Sequence, residues 1–168
     1  MLIRPARIED APAIAKVHVE SWRTTYAGII PDDVLAGLRT DQREQMWRDF
    51  LSRGHPTAFL LVAENDDGEV VGFANAGPER ENDPLYKAEL YAIYLLHSSQ
   101  KQGIGRALFD VVIENLQALN FTSMLVCVLA ENQARQFYER MGGQYLREKP
   151  ITIGGMELVE VAYGWDSI

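Results

Sequence analysis

Two glycines one residue apart, in the stretch QKQGIGRALF from Gln100 to Phe109, are the residues of this 168-residue chain best suited to hold a phosphate. A turn that opens a helix leaves several backbone N–H groups without an intrahelical acceptor, and the helix dipole adds partial positive charge there. Glycine lets an anion approach the backbone closely. Gln100, Lys101, Gln102 and Arg106 surround the turn with donors and positive charge. Two common nucleotide motifs do not fit. A dinucleotide fingerprint needs a small residue where Leu108 stands, and an acidic one about 20 positions on, where Asn120, Phe121 and Thr122 lie. No G-x-x-x-x-G-K-[ST] occurs. The turn is therefore either a phosphate cradle of another kind or a glycine start to a helix, and spacing alone leaves both open.

Other side chains are placed for chemistry. Glu89 opens the apolar run ELYAIYLL. A carboxylate at a strand edge beside a cleft is a candidate base when desolvation disfavours its charge, and it can equally lie in solvent. Tyr91, two residues on, shares its strand face. Tyr138, with Ala134 and Met141 on its helical face, reads from pattern alone as core packing. Trp22 and Tyr26 lie four apart on a helix that also carries His18, and they either line a pocket or pack on a sheet. His18, His55 and His97 lack metal-ligand spacing with any cysteine or acid cluster, so no metal site is expected.

The elements that must position these residues follow from periodicity. LIRPA reads as a short strand, and Ile8, Ala11, Ile14, Ala15, His18, Trp22 and Tyr26 mark a long helix after it. Pro31 suits a first helical turn, and TDQREQMWRDFLSRG reads as a helix capped by Thr40 or Asp41 and stopped at Gly54. Two apolar runs flanking Asp66, Asp67 and Gly68 predict an antiparallel hairpin. ELYAIYLL is too continuous for a half-exposed strand, which predicts a central strand covered on both faces. A helix follows, with Ile104, Ala107, Leu108, Val111, Asn115 and Leu119 on its inner stripe, then the strand FTSMLVCVL. A short helix capped near Glu131 or Asn132 ends at Gly142, and a closing hairpin turns at Gly154 and Gly155.

No repeat, low-complexity segment or linker divides residues 1–168, and the length suits a single domain. The formal charge of −8, without a block of Lys or Arg, argues against a nucleic-acid or anionic-membrane surface. The lone Cys127 sits in MLVCVL, a buried strand position where thiols behave as small hydrophobes. A reduced, cytoplasmic compartment is expected. No run approaches the ~18 apolar residues of a membrane span.

The loop motif carries a family resemblance. Gln100-x-x-Gly103-x-Gly105 followed by RAL matches the Q/R-x-x-G-x-G/A signature of the GNAT superfamily of acetyl-CoA-dependent N-acetyltransferases. ELYAIYLLHSSQKQGIGRALF resembles the family's fourth strand and pyrophosphate loop, and ENQARQFYERMGG resembles its N-x-x-A-x-x-F-Y-x-x-x-G segment. The resemblance spans nearly the whole chain and is specific in the second half. It implies an α/β fold with a twisted, mostly antiparallel sheet of about seven strands, helices on both faces and a splay between the fourth and fifth strands.

The resemblance also implies the chemistry: transfer of acetyl from acetyl-CoA to a primary amine by direct attack, with no metal. Backbone groups near Ile93 and Leu95 would pair with the pantetheine arm. The loop from Gln100 and Lys101 through Gln102, Gly103, Ile104, Gly105 and Arg106 would hold the pyrophosphate. Asn132 would contact the cofactor, and Tyr138 would lie beside its sulfur as general acid. Glu89 is the candidate base, directly or through water, with Tyr91 lining the acceptor side. Trp22 and Tyr26 would border the acceptor pocket.

Two departures from the family pattern are His97 in place of a common proline and Gly143 in place of phenylalanine. The first bears on loop rigidity and the second on packing. Cys127 is expected to be too buried for a covalent intermediate. The expected acceptor is a small amine such as a polyamine, amino acid or antibiotic. A protein N-terminus or lysine would need an open groove. A non-catalytic acyl-CoA sensor is the rival from another class, and Asn132 and Tyr138 beside an intact loop speak against it. The resemblance allows a homodimer, with the C-terminal hairpin as interface.

Overall fold

A computed structural model describes residues 1–168. Strand β1 (Leu2–Pro5) leads through a short 3-10 turn into helices α1 (Ala11–Thr25), α2 (Asp32–Ala36) and α3 (Thr40–Arg53). Strands β2 (Phe59–Glu64), β3 (Val70–Pro78) and β4 (Ala88–Leu95) follow, then α4 (Ile104–Ala118), β5 (Met124–Leu129), α5 (Arg135–Arg140), β6 (Gln144–Ile153) and β7 (Met156–Trp165). One seven-stranded sheet runs in the order β1-β2-β3-β4-β5-β7-β6. Every neighbouring pair is antiparallel except β4 and β5. This is the GNAT α/β architecture expected above.

Helices cover both faces. Under α1 and α3, Ala11, Ile14, Ala15 and Val17 meet Trp47, Leu60, Val62 and Phe73 in one core. Under α4, Ile104, Leu108, Phe109, Val112 and Leu116 meet Leu61, Leu90, Val126 and Tyr163 in the other. The inner stripe of α4 is rotated from the one its pattern suggested: Ala107, Val111, Asn115 and Leu119 lie half-buried at its border. Phe109, Val111, Val112 and Ile113 form an apolar arc too wide to define a stripe by itself. Packing decides, because Phe109 docks 5.2 Å from the Trp165 ring. At α3 the N-cap position is Arg39, with no side-chain cap; Thr40 is already helical.

Two burial expectations are corrected. β4 is central, but only Ala88, Glu89 and Leu90 are buried, and Tyr91 to Leu95 are half-buried. Cys127 is likewise half-buried, the one such residue in an otherwise buried β5. β4 and β5 part company after Glu89–Leu125, and Cys127 lines a hollow beside strand residues Arg147, Lys149, Glu160 and Ala162.

His18 in α1 is 8% exposed and stacks on Tyr94 with 5.6 Å between rings, with Trp22, Trp47 and Phe73 around it. Burial, with the Arg43 charge adding, holds its imidazole down at about 4 against an ordinary 6.5. Between those two values the unfolded chain binds a proton that the folded chain refuses. Stability therefore falls as pH drops through this window, by up to ~3 kcal/mol from this group. Denaturant titrations at pH 7 and pH 4 should show that fall, and His18→Leu should reduce it.

Candidate active site

β4 and β5 pair only at Ala88–Met124 and Glu89–Leu125. Beyond Leu125, β5 keeps β7 as its partner along its full length, while β4 follows β3. A cleft opens between them. A β-bulge drives the divergence: pairing jumps from Asn75–Ala92 to Ala76–Leu90 and leaves Tyr91 as the extra residue. Bulges bend a strand and increase its twist. Before the bulge Leu90 joins the α4-side core; after it Ile93 and Leu95 pack there, while Ala92 and Tyr94 turn to the α1 side. Nothing in ELYAIYLL announces this extra residue.

The bulged strand also exposes donors. Leu96 N–H donates to the Val71 carbonyl at 2.9 Å. Antiparallel alternation from that bond turns the N–H and C=O groups of Ile93 and Leu95 away from β3, toward the cleft. The Leu95 carbonyl already accepts the Ser21 hydroxyl at 3.0 Å and the Gln100 side-chain amide at 3.4 Å. Both N–H groups and the Ile93 carbonyl remain for an extended ligand.

After β4 a 3-10 turn, His97–Ser99, leads to Lys101 at φ 60° and Gly103 at φ 85°, the N-cap of α4. The first bond from the helix's end runs from Ala107 N–H to the Gly103 carbonyl at 3.0 Å, and the amides from Lys101 to Arg106 donate to no protein acceptor. A side chain at Gly103 would meet nothing within 4 Å, so the space beside the turn is open. Gly105 packs close to Leu95 and Phe137, where an added Cβ would lie 3.4 Å and 3.6 Å from their nearest atoms. Gln102 donates to the Ser98 carbonyl at 2.8 Å and braces the loop. The Arg106 guanidinium is exposed, 3.8 Å from Asp110. The free amides, more than the side chains, make this turn suited to an anion.

Tyr138 is 6% exposed and packs in the α4-side core. Its hydroxyl makes no hydrogen bond within the protein, and burial raises its phenol above the ordinary range, with the Tyr26 phenol of the opposite face adding to the shift. Tyr94, on the α1 face, is raised well above its ordinary value by burial, with Tyr26 beside it again contributing; sequence reasoning missed it because the bulge sets its direction.

Asn132 is buried, its Nδ2 lying 3.5 Å from the Tyr26 hydroxyl. Its Oδ1 accepts the Ala134 N–H at 2.8 Å and closes the turn into α5. It stands two residues before Ala134, one fewer than the family segment's spacing, so Glu131 and not Asn132 occupies the segment's asparagine position. The Gly143 departure is also accommodated: a Cβ there would lie 2.7 Å from the Trp165 indole, which fills the space.

Glu89 does not lie in solvent. It is 4% exposed, and Arg80 grips it through Nε at 3.0 Å, Nη2 at 2.5 Å and the backbone amide at 3.3 Å. The Arg80 guanidinium in turn lies 4.4 Å over the Tyr91 ring, and the Tyr91 hydroxyl donates to the Pro78 carbonyl at 2.5 Å. Glu89 and Tyr91 therefore share one face through Arg80. Trp22 is half-buried, Tyr26 is buried, and their rings are 4.9 Å apart. They cluster with Leu35, Leu129 and Leu158 between α2 and the β6–β7 hairpin. The Cys127 thiol is pushed up to about 12 by burial and the carboxylates of Glu160 and Glu89, which keeps it protonated. No cluster of His, Cys, Asp or Glu is grouped to hold a metal ion, and no helix is long and apolar enough to cross a membrane.

The chain as a whole has counterparts among known proteins. The acetyltransferase (GNAT) family model matches residues 17–143. An uncharacterized N-acetyltransferase, YuaI, of Bacillus subtilis (strain 168) is 42% identical over 166 residues, spanning 99% of this chain and 93% of its own. The phosphinothricin N-acetyltransferase of Streptomyces viridochromogenes is 27% identical over 142 residues, 83% of this chain and 72% of its own. Among solved structures, PaiA N-acetyltransferase from Thermoplasma acidophilum in complex with coenzyme A superposes with a TM-score of 0.76 at 23% identity, covering 95% of this chain and 96% of the other. The chain thus belongs to the GNAT family of acetyl-CoA-dependent N-acetyltransferases.

Proposed function

We propose that the chain acetylates a primary amine of a small molecule, of the amino-acid, polyamine or antibiotic type, by direct attack in a ternary complex. The observation that carries this reading is the β4–β5 cleft, which opens beside the unpaired amides of the loop from Lys101 to Arg106. Bound acetyl-CoA supplies an activated acetyl thioester. The amides from Lys101 to Arg106 bind the pyrophosphate, and Ile93 and Leu95 hold the pantetheine arm as an added strand. Asn132 supports this arrangement from the turn before α5. Tyr138, protonated throughout the physiological range, donates its proton to the departing sulfur. Glu89, oriented by Arg80, takes the amine's proton through water on the face that Tyr91 borders. Fixing the thioester on backbone donors removes much of the entropic barrier.

A small acceptor is favoured over a protein terminus or lysine because the acceptor side is walled. Gly154, at the tip of the β6–β7 hairpin, presses on α2 so closely that an added Cβ would lie 2.3 Å from the Val34 side chain. The S. viridochromogenes relative named for phosphinothricin points the same way. Thiol release from acetyl-CoA, measured across polyamines, aminoglycosides, amino acids and short peptides with calorimetric CoA binding alongside, tests the reading. Saturable turnover with one small-amine class is expected. Turnover of peptides alone overturns the small-molecule assignment, and CoA binding without any turnover favours a sensor.

A further inference from the structure

The α1-side face of β5, β6 and β7 carries a hollow lined by Cys127, Arg147, Lys149, Glu160 and Ala162, with Glu81 at its edge. Most carboxylates around it are closely paired. Glu89 is gripped by Arg80, and Asp83 is held by Arg147 at 2.7 Å and by the amides of Leu85 and Tyr86 at 2.9 Å and 3.0 Å. Glu81 holds the Lys149 ammonium at 2.6 Å. Glu160 differs: its one cation is that same Lys149, at 3.5 Å, and its carboxylate accepts no hydrogen bond. The side chain is only 23% exposed. A half-buried carboxylate without donors is costly and gains from a second cation.

Its place is informative. Glu160 pairs across the sheet with Leu129, the last residue of β5, whose carbonyl accepts the Asn132 N–H at 2.9 Å. Leu129 itself packs with Tyr26. Cys127 lines the same hollow, so the carboxylate stands beside that thiol and across the strand pair from the residue that packs on Tyr26, and its charge is felt by both the Tyr26 phenol and the Cys127 thiol. We propose that Glu160 recognises the positive charge of the acceptor, seating a cationic amine on the α1 side of the β4–β5 cleft while Lys149 falls back to Glu81. This rests on the N-acetyltransferase reading above and adds the residue that selects the acceptor.

The test is steady-state kinetics of Glu160→Gln and Lys149→Met with the best amine of the panel. Glu160→Gln should raise KM about 10- to 100-fold, the loss of one charge-assisted contact, with kcat within about threefold and CoA affinity unchanged. Lys149→Met removes the competing cation and should lower KM, a direction that a merely structural role for this pair does not produce. If Glu160→Gln does not fold, Glu160→Asp should raise KM severalfold with unchanged melting. An active wild type whose KM is unmoved in the folded Glu160 variant overturns this proposal and leaves the acetyltransferase reading intact. A wild type that turns over no amine overturns both.

Discussion

Tyr138→Phe is expected to lower kcat by about 10²- to 10⁴-fold, the usual worth of a positioned general acid, while leaving CoA affinity and melting temperature nearly unchanged. The phenol makes no internal hydrogen bond, so its removal breaks no structural contact, and phenylalanine preserves the ring packing against Phe137 and Tyr163. The pH dependence carries a second signature. Because burial raises the Tyr138 phenol, this acid stays protonated beyond the pH at which a free tyrosine ionises. The kcat profile should therefore show no descending limb from Tyr138 below pH 10. Stability has the matching sign: above pH 10 the unfolded chain releases phenolic protons that the folded chain retains at Tyr26, Tyr91, Tyr94 and Tyr138, so stability falls as pH rises. Rapid-quench or thiol-release kinetics of Tyr138→Phe, with CoA titration calorimetry, decides the matter; an unchanged kcat removes Tyr138 from the chemistry.

Gly103→Val should cost about 10²- to 10⁴-fold in CoA affinity, the loss of roughly two charge-assisted hydrogen bonds from the amide cradle. The substitution acts twice. A β-branched residue resists φ 85°, and its methyl groups occupy the open space where a phosphate would meet the amides. The fold should survive, because a Cβ there touches nothing, and destabilisation of only about 1–2 kcal/mol is expected from the strained backbone. Arg106→Ala is the informative companion: its exposed guanidinium should contribute less than about fivefold. Equal losses in both variants, read by calorimetry, would move the anion site from backbone to side chains.

Local features were legible in the residues themselves. Gly68, Gly103, Gly142, Gly154 and Gly155 all adopt positive φ at turns or helix ends that their neighbours announce, because that backbone preference is local. The loop motif QKQGIGR and the order of strands and helices follow from spacing in the same way, while Tyr26, expected on the helix of Trp22, caps the end of α1 instead. Features that rest on pairing between distant strands were not legible. The bulge at Tyr91 depends on how β3 meets β4, and it decides which way Ile93, Tyr94 and Leu95 point. The half-burial of Tyr91 to Leu95 and of Cys127 depends on two strands parting after Glu89–Leu125. Glu89 reads from the sequence as a strand-edge carboxylate, and only the fold brings Arg80, nine residues before it, onto both of its oxygens. Glu160 shows no motif at all: its position beside Cys127 and opposite Leu129 arises from register across β5, β6 and β7. The sequence by itself determined the family, the order of elements and the glycine turn with its free amides, since these are written in short-range spacing. Only the tertiary structure decided where the cleft opens and which carboxylates are neutralised, because both depend on contacts between residues far apart in the chain.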